Sequence, residues 1–197
     1  MNDYAMRFAQ ERFEFLCNFP SDINLHLPTI LSYAKQCDHV TEMGVRGVVS
    51  TWALIAALPK KIVCYDIVDC PIQDASLVSK DLNIDFNFII ADTVDPNLKI
   101  DQTDLLFIDT WHVYDQLKLE LEYHNDKVNK YIIMHDTTTF ADIGEMPSDF
   151  YTNYLEKRND KVGLWPAIEE FLYSNRQWRL KEKFDHNNGL TILQRIA

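Results

Sequence analysis

Residues 39–66 decide the fold: His39-Val-Thr-Glu42-Met-Gly44-Val-Arg-Gly47-Val-Val-Ser50-Thr-Trp52-Ala-Leu-Ile-Ala-Ala-Leu58-Pro-Lys-Lys61-Ile-Val-Cys64-Tyr-Asp66. A short apolar run (39–43), a glycine turn, an apolar helical stretch (49–58) and a second apolar run ending on an acid (61–66) read as strand, turn, helix and strand. Gly44 lets the chain turn tightly and lets a ligand come close to the backbone. Asp66 closes the second strand, where a carboxylate can accept both hydroxyls of a ribose. The alternative for Asp66 is a cap on the next helix, but its distance from Gly44 suits the ribose acid.

Working outward, residues 3–17 carry Tyr4, Phe8, Phe15 and Leu16 at helical spacing. Ser21 and Asp22 are good helix starters, and Leu27, Ile30, Leu31 and Ala34 continue on one face, with Pro28 early in that helix. A short helix is expected over 73–82. Phe86–Ala91 is a near-continuous apolar strand of the kind buried on both faces, and further strands follow at 104–109 and 131–134. Residues 114–124 alternate like a strand, yet a parallel sheet needs a crossover there, so a helix is expected. Residues 137–163 are polar, with Gly144 and Pro147, and read as a long acceptor loop before a helix at 164–174. Trp178–Phe184, Asn187-Asn188-Gly189 and Leu190–Ile196 read as a β-hairpin, because Asn-Gly supplies the positive φ angles of a tight turn. The expected fold is therefore a single α/β domain over 1–197. It is a three-layer sandwich with N-terminal helices (1–37) and a mostly parallel seven-stranded sheet ending in an antiparallel hairpin.

The bulk numbers bound the function. With 197 residues and 47% hydrophobic content, the chain can bury a sizeable core. A net charge of −11 argues against nucleic-acid and anionic-membrane partners. Cys17, Cys37, Cys64 and Cys70 show no C-x-x-C spacing, so neither a disulfide framework nor a zinc site is expected. Reduced thiols, with no signal peptide and no eighteen-residue apolar stretch, fit a cytoplasmic protein. A homo-oligomer is compatible with this composition.

The turn also reports on the ligand. A dinucleotide fold would carry G-x-G-x-x-G on a pyrophosphate. Here Glu42 precedes Gly44, and Gly44-Val-Arg-Gly47 has no third glycine. An acid in the turn repels phosphate and suits a cationic amino-acid ligand. S-adenosylmethionine, with its ammonium and sulfonium, fits that description. Glu42 and Gly44 would face its methionine end, and Ser50 and Thr51, at the start of the following helix, would take its carboxylate.

Glu42-x-Gly44 followed by Ser50 resembles the first motif of class I S-adenosylmethionine-dependent methyltransferases. It is nearest to the small O-methyltransferases of the catechol type and of the macrocin and cephalosporin-cluster type. Those families usually carry a second glycine where this chain has Val48. The runs Ser21-Asp22-Ile23-Asn24, Ile108-Asp109-Thr110 and His135-Asp136-Thr-Thr-Thr139 are similar to small methyltransferases associated with glycan modification in viruses and microbes. In the resembling enzymes the acid ending the fourth strand and the acid ending the fifth are metal ligands, with one adjacent residue completing the set. Carried over, these are Asp109 and Asp136, with His135 or Thr137 as the neighbour. Two carboxylates and a third donor suit Mg²⁺, and an imidazole would admit Mn²⁺. The alternative is that both acids only cap loops or hold waters. Asp92, with Asp95 as an alternative, resembles the acid that contacts the adenine amine.

His112 sits where catechol-type enzymes place a basic residue near the acceptor hydroxyl, so it and Asp109 are the expected catalytic pair. The alternative for His112 is a surface or substrate-binding histidine. His26, His39, His124 and His186 show no cluster in the sequence. Trp52, Trp111, Tyr114 and Trp165 are candidates for an aromatic acceptor wall, though such residues are often core. The resemblance implies methyl transfer to a hydroxyl of a small molecule or glycan sugar. The rivals are a nucleotide-binding oxidoreductase or epimerase, a metal-dependent hydroxylase-like enzyme, and a non-catalytic nucleotide-binding protein on the same fold.

Overall fold

The computed structural model describes residues 2–145 and 161–196. Helix α1 (Asp3–Asn18) begins where the Asn2 side chain accepts the Tyr4 and Ala5 amides, and it buries Ala5, Ala9, Phe13 and Leu16 at helical spacing. Ser21 and Asp22 do not start the next helix. A 3-10 turn (Asn24–His26) intervenes, and α2 (Leu27–Ala34) opens with Pro28 in its first turn, where the missing N–H costs nothing.

The remaining elements follow as β1 (His39–Met43), α3 (Val49–Ala56), β2 (Lys61–Asp66), α4 (Gln73–Asp81), β3 (Asp85–Ile90), β4 (Thr103–Ile108) and α5 (Tyr114–His124). They end with β5 (Val128–His135), α6 (Trp165–Ser174), β6 (Trp178–Phe184) and β7 (Leu190–Arg195). The sheet runs β3-β2-β1-β4-β5-β7-β6, with β7 antiparallel to β5 and β6 antiparallel to β7. This is the seven-stranded sandwich expected from the sequence. The order reverses between β1 and β4, and at such a switch point two loops diverge and leave a crevice.

Alternation along the central strands divides the core into two layers. Val40, Ile62, Leu105, Phe107 and Ile133 pack on α1–α3, whereas Met43, Leu106, Ile108, Ile132 and Met134 pack on α5 and α6. Each such fully buried aliphatic or aromatic side chain contributes about 1.5–3 kcal/mol relative to exposure.

The expectation for β3 is corrected. It pairs only with β2 and forms the sheet edge, and Ile90 is 59% exposed. An unbroken apolar run does not distinguish a central strand from an edge strand, because both are pleated and β-branched. The acceptor-loop expectation for 137–163 falls in part on 146–160, outside the described residues. No helix among the described residues is long and apolar enough to cross a membrane.

Candidate active site

The crevice above the switch point holds a cavity of about 400 Å³ lined chiefly by the segments at and after the ends of β1, β2, β3, β4 and β5. Its entrance turn depends on Gly44. The φ of Gly44 is +86°, and a Cβ there would lie 2.0 Å from the carbonyl oxygen of Asp109. The Gly44 amide donates to the Tyr65 carbonyl and the Asp109 amide to the Met43 carbonyl, which ties β1, β2 and β4 together at the cavity floor. Val48, where the resembling families place glycine, is itself left-handed (φ 63°) and buried, so this chain keeps the glycine conformation with a β-branched residue.

The cavity is acidic. Asp22, Asp66, Asp92, Asp109, Asp136 and Glu145 line it, against one arginine, Arg46, among the described lining residues. Asp66 Oδ2 accepts the amides of Val45 (2.8 Å) and Arg46 (3.0 Å), and Oδ1 accepts that of Val68. Burial would raise its pKa, but these amides hold it below the ordinary value. Asp66 therefore braces the glycine turn as well as facing the cavity. Asp92 lines the cavity with Oδ1 on the Val94 amide, whereas Asp95 is exposed on the loop beyond.

Glu42 does not face the ligand space. It is fully buried, and its carboxylate accepts the hydroxyls of Ser50 (2.6 Å) and Thr51 (2.7 Å) and the Cys64 thiol (3.2 Å). Burial pushes its pKa up to about 7 against those three donors. The expected division of labour, with Glu42 on an ammonium and Ser50 and Thr51 on a carboxylate, gives way to an internal cluster that holds α3 against β1. Ser50 still touches the cavity; Thr51 is wholly buried.

At the other end, Asp109, His112, His135 and Asp136 converge. His112 Nε2 lies 3.3 Å from Asp109 Oδ1 and 2.9 Å from Asp136 Oδ2. His135 Nδ1 stands 3.4 and 3.3 Å from the same two oxygens, without hydrogen-bond alignment. Burial disfavours both imidazolium ions, yet the carboxylates outweigh it. Asp109, Asp136 and Glu145 push His112 up to about 11, and Asp109 and Asp136 push His135 up to about 10. Burial would raise Asp109 and Asp136, but the two histidines beside them hold both below the usual carboxylate range. The carboxylates around His112 favour its imidazolium form in the metal-free protein, whereas the expected proton acceptor requires a neutral ring.

The donor set fits a divalent cation. Ligand atoms of Asp109, His112 and Asp136 lie within 4.8 Å of one another, and Asp136 Oδ1 is buried with no hydrogen-bond partner. Thr137 is turned away, its hydroxyl accepting from Thr191.

Several contacts escaped the sequence. Glu145 clamps His112. Glu120, fully buried, accepts from Thr93, Gln116 and Thr110 beneath the cavity. His26 is buried with its ring 5.7 Å from that of His135 and 4.7 Å from that of His186. Of the aromatic candidates, Trp111 lines the cavity, Trp52 is core, and Tyr114 is buried and donates to Glu170.

No family model matches the chain, and no curated protein matches it in sequence. Solved structures do match. A putative caffeoyl-CoA O-methyltransferase from Staphylococcus aureus is 15% identical, with 99% of each chain covered and a TM-score of 0.64. The methyltransferase PaMTH1 of Podospora anserina, bound to SAH, is 14% identical over 96% of this chain and 88% of that one, with a TM-score of 0.60. The N-methyltransferase NodS of Bradyrhizobium japonicum is 9% identical over 89% and 97%, with a TM-score of 0.57. The chain thus has the Rossmann-like fold of methyltransferases acting on both oxygen and nitrogen.

Proposed function

We propose that the protein transfers the methyl group of S-adenosylmethionine to a hydroxyl oxygen of a small molecule or glycan sugar. The observation that carries this reading is the charge of the crevice. Among the described residues, six carboxylates line a nucleoside-sized cavity at the switch point, against Arg46 and the His112 ring. A pyrophosphate would be repelled there, whereas a ligand with an ammonium and a sulfonium is attracted. Asp66 and Asp92 both line the cavity, which supports their reading as the ribose and adenine acids, and Gly44 keeps the backbone open to a ligand.

In the reaction the S–CH₃ bond breaks, an O–CH₃ bond forms and the hydroxyl proton leaves to water. Much of the protein's work is alignment of sulfur, carbon and oxygen. A divalent ion, Mg²⁺ or Mn²⁺, held by Asp109 and Asp136 would supply the positive charge that lowers the pKa of the acceptor hydroxyl. Asp109 closes the cavity floor between the two halves, because its backbone packs on Gly44 and its side chain faces His112 and His135. The acidic crevice and the −11 net charge support an uncharged polyhydroxy acceptor over nucleic acid or a phosphate-bearing one.

The test is incubation with methyl-labelled S-adenosylmethionine and a panel of sugars and catechols, with and without added Mn²⁺. The expected result is label on an acceptor oxygen with one SAH formed per label. Label on nitrogen, or none from any acceptor in a protein that binds SAH, counts against O-methylation.

A further inference from the structure

The cluster at the ends of β4 and β5 has the geometry of a coordination shell more than of a proton relay. Four nitrogen–oxygen separations link His112 and His135 to Asp109 and Asp136, at 3.3, 2.9, 3.4 and 3.3 Å. Donors bound at about 2.0–2.2 Å to one ion stand about 3.0–3.5 Å apart. Two buried atoms of the cluster, Asp136 Oδ1 and His135 Nδ1, also lack hydrogen bonds, and such atoms are ordinarily satisfied.

The His112 ring is held by a second set of contacts. Its Nδ1 lies 2.9 Å from Glu145 Oε2, and the same oxygen accepts the His112 amide at 3.2 Å. The Glu145 amide returns a bond to the His112 carbonyl at 2.9 Å. Phe140 stacks flat on the ring, with 4.8 Å between centroids and 4° between planes. With Nδ1–H given to Glu145, Nε2 faces the two aspartates, and a cation that displaces its proton would find the lone pair aimed at the shared space. This is the carboxylate–histidine–metal arrangement in which an outer carboxylate fixes the tautomer and orientation of a ligand.

We infer that His112 is a metal ligand, that Glu145 is its positioning residue, and that the centre prefers a first-row transition ion such as Mn²⁺ to Mg²⁺. Mg²⁺ favours an all-oxygen octahedron and keeps its waters, whereas a first-row transition ion such as Mn²⁺ takes carboxylates and accepts an imidazole nitrogen beside them. The inference deepens the metal-assisted reading of the same site, but it does not depend on the methyl donor.

The test uses the metal-stripped full chain, titrated with Mn²⁺ and Mg²⁺ by calorimetry, and pulsed electron paramagnetic resonance of the Mn²⁺-loaded protein. Mn²⁺ is expected to bind at least about tenfold tighter than Mg²⁺ and to show nitrogen-14 coupling that weakens in His112→Ala. Glu145→Ala should weaken Mn²⁺ about 10–100-fold, with Glu145→Gln falling between it and the parent. Equal affinity for the two ions, coupling unchanged in His112→Ala, or unchanged Mn²⁺ affinity in a folded Glu145→Ala would each overturn the inference. The spectrum of the unmutated protein decides nitrogen ligation even if a variant fails to fold. Loss of this proposal with SAH binding intact leaves methyl transfer standing; Mn²⁺ binding without SAH binding does the reverse.

Discussion

Nε2 of His112 stands 2.9 Å from Oδ2 of Asp136, so the residues that follow two neighbouring strands share one charge centre. Without metal, that centre is a histidine cation among carboxylates, and its stability must depend on pH. His112 is raised from 6.5 to about 11, so its contribution is full below about 6.5 and is lost as pH climbs toward 11. Asp136 is lowered from 3.8, so its contribution is full above that value and is lost as pH falls below it. Melting of EDTA-treated protein should therefore show a maximum in mildly acidic buffer and an alkaline decline that His112→Gln flattens. Parallel curves for parent and variant would show that the pair carries no linkage.

Glu42 offers a separate test, because its role moved from ligand contact to buried brace. A carboxyl whose pKa rises to about 7 on folding loses stability as pH rises from about 4.5 to 7, since the unfolded chain ionises first. Glu42→Gln removes that cost while keeping the shape. The variant should melt at or above the parent at pH 8 and bind SAH within about threefold, because a change of about 0.6 kcal/mol or less corresponds to that factor. A tenfold loss of SAH affinity in a fully folded variant would return Glu42 to the ligand.

Gly44→Ala should be severe. Its Cβ would lie 2.0 Å from the Asp109 carbonyl oxygen, at a φ of +86°. The backbone strain alone costs about 1–3 kcal/mol, and displacement of Asp109 adds to it. Thermal denaturation should show a drop of several degrees, with weakened SAH binding in whatever remains folded. A melting temperature equal to the parent's would mean that the turn can open without cost.

The fold was legible because its signals are local. The glycine after β1, the acid after β2 and the Asn187-Asn188-Gly189 turn each fix a backbone conformation from neighbouring residues. The site was legible in membership and not in orientation. Both faces of β1 are buried, so a period of two could not say whether Glu42 pointed at the cavity or at α3. The Glu145 clamp on His112 spans a long sequence separation, and the packing of His26 on His135 depends on where the β6–β7 turn docks. There Gly189 approaches Thr138 so closely that a Cβ would clash. No local pattern encodes such contacts. Residues 86–90 misled for the opposite reason: their composition is that of a central strand, and only the strand order places them at an edge.

Asp66 serves turn and ligand together, which separates two variants. Asp66→Ala strands three backbone amides and should lower both stability and SAH affinity, the latter by about 1.5–3 kcal/mol if a charged hydrogen bond to the ribose is lost. Asp66→Asn keeps one acceptor oxygen and should recover most of the stability but not the affinity. Calorimetric SAH titrations and melting curves on both variants distinguish the roles; affinity that simply tracks stability would reduce Asp66 to a brace.

The most direct measurement is binding of SAH to the unmodified protein, compared with NAD at equal concentration. A ligand of the native state at a hundred times its Kd stabilises that state by about 2.7 kcal/mol. The expected result is a clear rise in melting temperature and a one-to-one calorimetric isotherm with SAH, and neither with NAD. A shift with NAD and none with SAH would contradict it.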